Sequence, residues 1–310
     1  MSMFILAHLT DPHLPTPGGQ QAAAFANKRL VGLMSWRLRR RHIYRPELLA
    51  TLVRDLQAQR PDHIAVTGDI VNIALPDEFA AAAAWLGALG TPEGVSVVPG
   101  NHDAYVRVAA ASSLARWEAY MRGDDPAPAD GFPFLRRRNG VALIGLTTAE
   151  PSPPGMAWGS LGSRQLARLG QFLAEARSAG DFRIVLLHHR PIDEGLARHK
   201  RLRDAAAFRD VIARQGAELV LHGHTHRFEV GFLTAGGREI PVVGAPSASA
   251  TTDVPDHTAQ YHLYRIAAVE GGWSLDMRAR RCAPAGGSLT EHPFRWLFVP
   301  APAADTGSTG

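Results

Sequence analysis

The chain has 310 residues, 45% of them hydrophobic, which is enough to bury a large core, and its 33 basic and 29 acidic side chains leave a net charge of only +4. The single cysteine, Cys282, excludes an internal disulfide framework and fits a reducing, cytoplasmic setting. No apolar run is long enough to span a bilayer, and the stretch 3–9 lacks the basic flank and cleavage site of a signal peptide, so it reads as a first strand.

That strand is predicted at 4–7, and the cluster Asp11-Pro12-His13 follows it. A segment at about 20–45 comes next, in which Lys28, Arg29, Arg37, Arg39, Arg40, Arg41 and Arg45 alternate with Leu30, Val31, Leu33, Met34, Trp36 and Leu38. Two readings of it stay open. A helix there presents an apolar face with a basic flank to an anionic membrane surface, making the protein peripheral on the inner face of the membrane. Alternatively the helix packs Leu30, Leu33, Met34 and Trp36 on the domain and leaves its arginines in water. In both cases the segment follows His13 closely enough to overhang the same region.

Residues 47–59 are predicted as a helix with Pro46 in its first turn, and a strand at 63–67 then runs into Gly68-Asp69. A helix at 77–89 precedes a strand at 95–98, which runs into Gly100-Asn101-His102-Asp103; a further helix is expected at 111–122. Pro-rich loops at 123–131 and 150–159 are placed to line a cleft. A helix at 163–179 leads to a strand at 183–187 ending in His188-His189, and a helix at 204–214 to a strand at 218–221 ending in Gly223-His224-Thr225-His226. Strands at 228–233, 239–243, 261–269 and 273–281, separated by Gly-rich turns, are expected to close a second sheet. Residues 301–310 read as a disordered tail, small and polar, so one domain is expected over 1–300.

Five buried-type strands are thus each followed by a ligand cluster, and ligands in α/β proteins collect beyond the carboxyl ends of strands. Asp11, His13, Asp69, Asn101, His188, His224 and His226 offer oxygen and imidazole nitrogen without thiolate. That donor set suits Mn²⁺ first, with Fe or Zn²⁺ as alternatives, and argues against a closed structural zinc site. A pair of ions about 3.5–4 Å apart needs a shared carboxylate and an open position for water and substrate.

The ordered motifs Asp-x-His, Gly-Asp, Gly-Asn-His-Asp, a later His and Gly-His-Thr-His resemble those of the calcineurin-like metallophosphoesterases over roughly residues 3–270. The resemblance implies an α/β fold, a four-layer αββα sandwich of two mixed β-sheets flanked by helices. It implies that one divalent metal takes Asp11, His13 and His226, that the other takes Asn101, His188 and His224, and that Asp69 bridges them. His102 matches the family's catalytic histidine, which assists the leaving group. The expected reaction is hydrolysis of a phosphodiester or pyrophosphate, with a hydroxide shared by the two ions as nucleophile.

Several residues have plainer readings. His189 points away from His188 on extended backbone and is expected beside the ligands rather than among them. Asp103 is expected to orient the turn. His8, His42, His63, His199, His222, His257, His262 and His292 are taken as surface or packed histidines. The serine/threonine phosphatase branch carries Gly-Asp-x-x-Asp-Arg-Gly, but here Asn72 and Ile73 replace the Asp and the phosphate-gripping Arg, which argues against a phosphoprotein substrate. Asn72 is left to bond His102 or to hold its own turn.

For the substrate, one branch with the Gly-Asn-His-Asp form cleaves UDP-diacylglucosamine, which a membrane-facing basic helix suits. A cyclic-nucleotide or glycerophosphodiester phosphodiesterase is equally compatible with the metal ligands. A DNA nuclease is disfavoured by the modest charge and sparse aromatic residues, and a non-catalytic scaffold by the complete ligand set.

Overall fold

The computed structural model describes residues 3–16, 29–30, 32, 43–106, 113–125, 131–252, 254–283 and 289–300. Strands β1 (Phe4–Leu9), β2 (His63–Val66) and β3 (Val95–Val97) run parallel, with helices α1 (Pro46–Ala58) and α2 (Pro76–Leu89) in the connections. Parallel neighbours need such crossovers, which also cover the sheet. Helix α1 turns Leu48, Leu49, Leu52 and Leu56 inward at helical spacing. Helix α2 opens on Pro76, and the Glu78 carboxylate accepts the N–H of Leu75 at the helix start and that of Ile73 in the preceding loop.

The second sheet is built from β4 (Phe134–Arg138), β5 (Val141–Gly145), β6 (Phe182–Leu186), β7 (Leu219–His222), β8 (Glu229–Ala235) and β9 (Arg238–Gly244), in the order β4-β5-β6-β7-β9-β8. Strands β5, β6, β7 and β9 are parallel, and β4 and β8 form antiparallel edges. Helices α3 (Gly162–Ser178) and α4 (Ala205–Gln215) pack together on its outer face. The period-two alternation of the strands separates two cores. Val141, Leu143, Ile184, Leu186, Leu219 and Leu221 face the first sheet, while Ala142, Ile144, Val185 and Val220 lie under α3 and α4. The expected helix–sheet–sheet–helix layering is therefore present.

The chain then returns to the first sheet through β10 (Gln260–Val269), β11 (Gly272–Cys282) and β12 (Leu289–Pro300), giving the order β12-β11-β10-β1-β2-β3. This corrects the expectation that all four late strands close the second sheet. Only the strands predicted at 228–233 and 239–243 do so. The strand predicted at 261–269 pairs antiparallel with β1, from Phe4 opposite Ile266 to His8 opposite His262, and the one at 273–281 pairs with it in turn. β1 is a central strand and needs a partner on its free edge, which local sequence does not reveal.

The helix predicted at 111–122 is, over its described part, a 3-10 helix from Leu114 to Met121, broken at Trp117, where φ is −125°. Trp117 is buried with its ring 5.4 Å from that of Phe79, an anchor that a regular helix would have to move. Strands β4, β5 and β12 carry no prediction. In β4 the run Arg136-Arg137-Arg138 masks a strand, because Arg136 is 3% exposed and donates to the carbonyls of Val95, Pro92, Ala119 and Arg122.

Most of the basic segment 20–45 and the tail 301–310 lie outside the described residues, as do residues 126–130 of the loop predicted at 123–131. Of the basic segment, Arg29 is buried and its guanidinium donates to the carbonyls of Ile73 and Ala74, whereas Leu30 is 50% exposed. Buried Arg29 departs from the outward-facing arginines of both readings, whereas exposed Leu30 departs only from the reading that packs it on the domain. No helix among the described residues is long and apolar enough to cross a membrane.

Candidate metal centre

The carboxyl ends of β1, β2, β3, β6 and β7 converge, so that loops from both sheets meet on one rim. Asp11 N–H donates to Gly68 O at 2.9 Å, His13 N–H to Asp69 O at 3.1 Å and Gly223 N–H to His188 O at 3.0 Å. Ser247, beyond β9, closes the rim by donating its hydroxyl to Asp11 O at 2.6 Å.

The backbone at this rim is unusual. Asp11, His13, Asp69, His224 and His226 all have positive φ, between 42° and 67°. Left-handed backbone costs a non-glycine residue on the order of 1–2 kcal/mol, and such costs gather at functional sites. Two glycines permit the close approach. A Cβ on Gly100 would overlap the Asp69 carboxylate and the His188 ring, and one on Gly223 would overlap Thr10 and Asp11.

All seven residues predicted as ligands meet here, in two groups. Asp11, His13, Asp69 and His226 each direct a ligand-type atom to within 4.8 Å of the others, and Asp69, His188 and His224 form a second such group. Asn101 joins the second group, its Oδ1 3.2 Å from His188 Nε2. Asp69 belongs to both. In the first group His226 Nε2 lies 2.9 Å from Asp11 Oδ1 and 3.3 Å from His13 Nε2.

The electrostatics are those of buried carboxylates short of positive charge. Burial opposes ionisation of Asp11, but contact with His226 and the proximity of His188 hold its carboxyl below the usual range. Burial likewise opposes ionisation of Asp69, and His188 and His102 hold it well below. Burial alone would depress His188, yet Asp69 pushes it up to about 9. Burial and the neighbouring His188 push His224 well below its ordinary value. Carboxylate and amide oxygens with imidazole nitrogens, and no thiolate, are donors that fit hard or borderline divalent cations.

His102 stands between the groups. Its N–H donates to Asp69 Oδ1 at 2.7 Å, its ring meets His13 edge-on at 5.2 Å, and Nδ1 bonds Asn72 O at 2.5 Å. The Asn72 side chain instead donates to Leu14 O and Thr16 Oγ1, in the loop after β1, so it neither bonds His102 nor holds its own turn, and it is the Asn72 carbonyl that orients His102. Asp103 accepts the N–H groups of Asp69, Ile70, Val71 and Gly100, which fixes the loop carrying Asp69. His189 is buried beside His224, with 4.4 Å between ring centres, and bonds Thr148 Oγ1 and Ala157 O. The loop predicted at 150–159 thus reaches the second group through Ala157.

Sequence reasoning missed several supports. Tyr44 stacks on His13 with 4.4 Å between ring centres and places its hydroxyl 3.2 Å from His226 Nδ1. Tyr105 stacks on His102 at 5.5 Å, nearly parallel. The carbonyls of Thr67 and Lys200 accept from His188 Nδ1 and His224 Nε2. Carbonyls have no residue signature, and Tyr44 lies at the end of the basic segment, where charge dominates the pattern.

Residues 5–228 match the calcineurin-like phosphoesterase family. The chain belongs to that family. A calcineurin-like phosphoesterase is a metal-dependent phosphoester hydrolase, and the two donor groups are consistent with two divalent ions. Over 255 residues the chain is 29% identical to a probable cyclic nucleotide phosphodiesterase of Rhodococcus erythropolis, covering 80% of this chain and 72% of that protein. It is 32% identical over 140 residues, 45% of each chain, to the glycerophosphodiester phosphodiesterase GpdQ of Enterobacter lignolyticus. Its backbone superposes on a dimetal phosphatase from Danio rerio with a TM-score of 0.58 at 15% identity, covering 94% of this chain and 99% of that one, so this phosphoesterase shares that fold.

Proposed function

We propose that the protein is a binuclear phosphodiesterase acting on small diesters of the cyclic-nucleotide or glycerophosphodiester class. The observation that carries this is the meeting of seven oxygen and imidazole donors around one shared carboxylate, Asp69. Asp11, His13 and His226 would hold one ion, and Asn101, His188 and His224 the other. When bound, two divalent cations supply Lewis acidity, an acidified water and positive charge facing the phosphoryl oxygens. Mn²⁺ is the expected occupant, with Fe or Zn²⁺ as alternatives.

The protein's own residues do the rest. His102 is the group placed to protonate the departing oxygen. Its Nδ1 hydrogen is committed to the Asn72 carbonyl, which leaves Nε2 as the atom that delivers a proton. Tyr105 behind the ring and the Asp69 carboxylate on its backbone N–H fix the orientation of His102. Ile73 is buried at 1% exposure and provides no cation to grip a phosphomonoester dianion, which favours diesters.

The relatives named for cyclic nucleotides and glycerophosphodiesters support this substrate class. Cleavage of a lipid-linked pyrophosphate such as UDP-diacylglucosamine, and docking on an anionic membrane, depend on the basic segment 20–45. A panel in added Mn²⁺ decides between the classes, comparing 4-nitrophenyl phosphate, bis(4-nitrophenyl) phosphate, cyclic nucleotides, glycerophosphodiesters and nucleotide-sugar pyrophosphates. Diesters are expected to lead; preferred turnover of the monoester or of the pyrophosphates would displace the proposal.

A further inference from the structure

A histidine that ligates through one ring nitrogen needs its other nitrogen protonated and held, since that bond fixes both tautomer and ring direction. Three of the candidate ligands show such a hold. His188 Nδ1 meets Thr67 O at 2.6 Å and His224 Nε2 meets Lys200 O at 3.0 Å, both main-chain carbonyls. His226 Nδ1 meets the Tyr44 hydroxyl at 3.2 Å. Among these three partners Tyr44 is the one side chain, and it also covers a second ligand, its ring lying on that of His13 at 29°.

The main chain around Tyr44 is pinned from behind. Tyr44 bridges Ala250 in antiparallel fashion, Arg45 N–H donates to Ser249 O at 2.8 Å, and Thr251 N–H donates to Ile43 O at 2.8 Å. The stretch 249–251 lies just after Ser247, whose hydroxyl holds Asp11 O. One short antiparallel pairing therefore locates Tyr44 against His13 and His226 and reaches the loop that carries Asp11.

We infer that Tyr44 is the positioning residue of the Asp11–His13–His226 half of the metal centre, holding His226 in the Nδ1-protonated tautomer and fixing the plane of His13. This rests on the binuclear reading above. His226 Nε2 faces Asp11 Oδ1 and His13 Nε2, so an ion there requires the lone pair of Nε2, and the Nδ1 hydrogen then donates to the phenol oxygen. The tyrosine touches the substrate's phosphorus nowhere in this scheme; it acts through the two histidines. Its place at the end of the basic segment also makes it one of the described links between that segment and the centre.

The test is Tyr44→Phe, which keeps the stacked ring and removes the hydroxyl, with Tyr44→Ala beside it. Full-length protein loaded with Mn²⁺ is dialysed against graded chelator, and bound metal is measured by mass spectrometry with thermal melting in parallel. For Tyr44→Phe the last ion should leave at about 10–100-fold lower chelator strength than in the unaltered protein, the usual cost of losing such a partner. Excess Mn²⁺ should restore turnover of a diester. Tyr44→Ala should exceed that shift. A release curve for Tyr44→Phe that coincides with the unaltered protein overturns the inference, as does turnover that stays lost in excess Mn²⁺. If the unaltered protein retains no Mn²⁺ at all, the binuclear reading itself fails.

Discussion

The two halves of the candidate metal centre are built from unequal materials. Asp11 and Asp69 give the first half two carboxylates beside His13 and His226, whereas the second half has only the shared Asp69, with Asn101, His188 and His224. The first half also lies under a tyrosine that contacts two of its members, while the second is steadied by two backbone carbonyls. One additional buried negative charge is a large difference where water is excluded. The first half is therefore expected to keep its ion, and the second to exchange it.

His102→Asn tests whether the residue between the halves serves chemistry or binding. On its role as proton donor, turnover of a diester should fall about 10²–10⁴-fold while two ions remain bound, checked by steady-state rates and metal analysis on the same sample. Unchanged hydrolysis of an artificial diester removes that role. Asn101→Ala separates the halves directly. The affinity of the second ion should fall, bringing bound metal in chelator from two ions per chain towards one, and excess Mn²⁺ should recover much of the rate. Loss of both ions together, or an unaltered metal content, counts against the division drawn here.

An effect from outside both halves, on stability rather than on turnover or metal, serves as their control. Burial first, then Arg136, depresses His63 to about 3, and burial and Arg281 depress His262 to about 3. Both are neutral in the folded protein. Unfolded, they take up protons near pH 6.5, so the unfolded state binds more protons between about pH 6.5 and 3. Stability should then fall with decreasing pH across that window, by roughly 1.4 kcal/mol per pH unit for each histidine, with no effect above it. Denaturant titrations of His63→Gln should show a shallower slope. Equal slopes would mean that acid loss of activity arises at the centre rather than in the sheet.

The clustering of the candidate ligands was legible because each comes directly after an apolar, β-branched run, and a strand in an α/β fold delivers the loop at its carboxyl end to a common rim. Their conformations were not. Nothing in Asp11-Pro12-His13 or Gly223-His224-Thr225-His226 announces that four of these residues adopt positive φ, because the strain is imposed by neighbours such as Gly68 O and Asp69 O that come from distant strands. Sheet membership was hidden for a related reason. β10 pairs with β1 across more than 250 residues of chain, and an alternating strand reads the same in either sheet. Asn72 illustrates the mixed case: its identity argued against the phosphoprotein branch, but the atom that orients His102 is its carbonyl, which any residue would provide.

The most direct measurement is hydrolysis of bis(4-nitrophenyl) phosphate by metal-free protein titrated with Mn²⁺. If two unequal halves cooperate around Asp69, the first equivalent per chain should bind with little turnover and the rate should rise as the second is taken up, saturating at two. Full activity at one equivalent, or a rate indifferent to added metal, would contradict a binuclear centre.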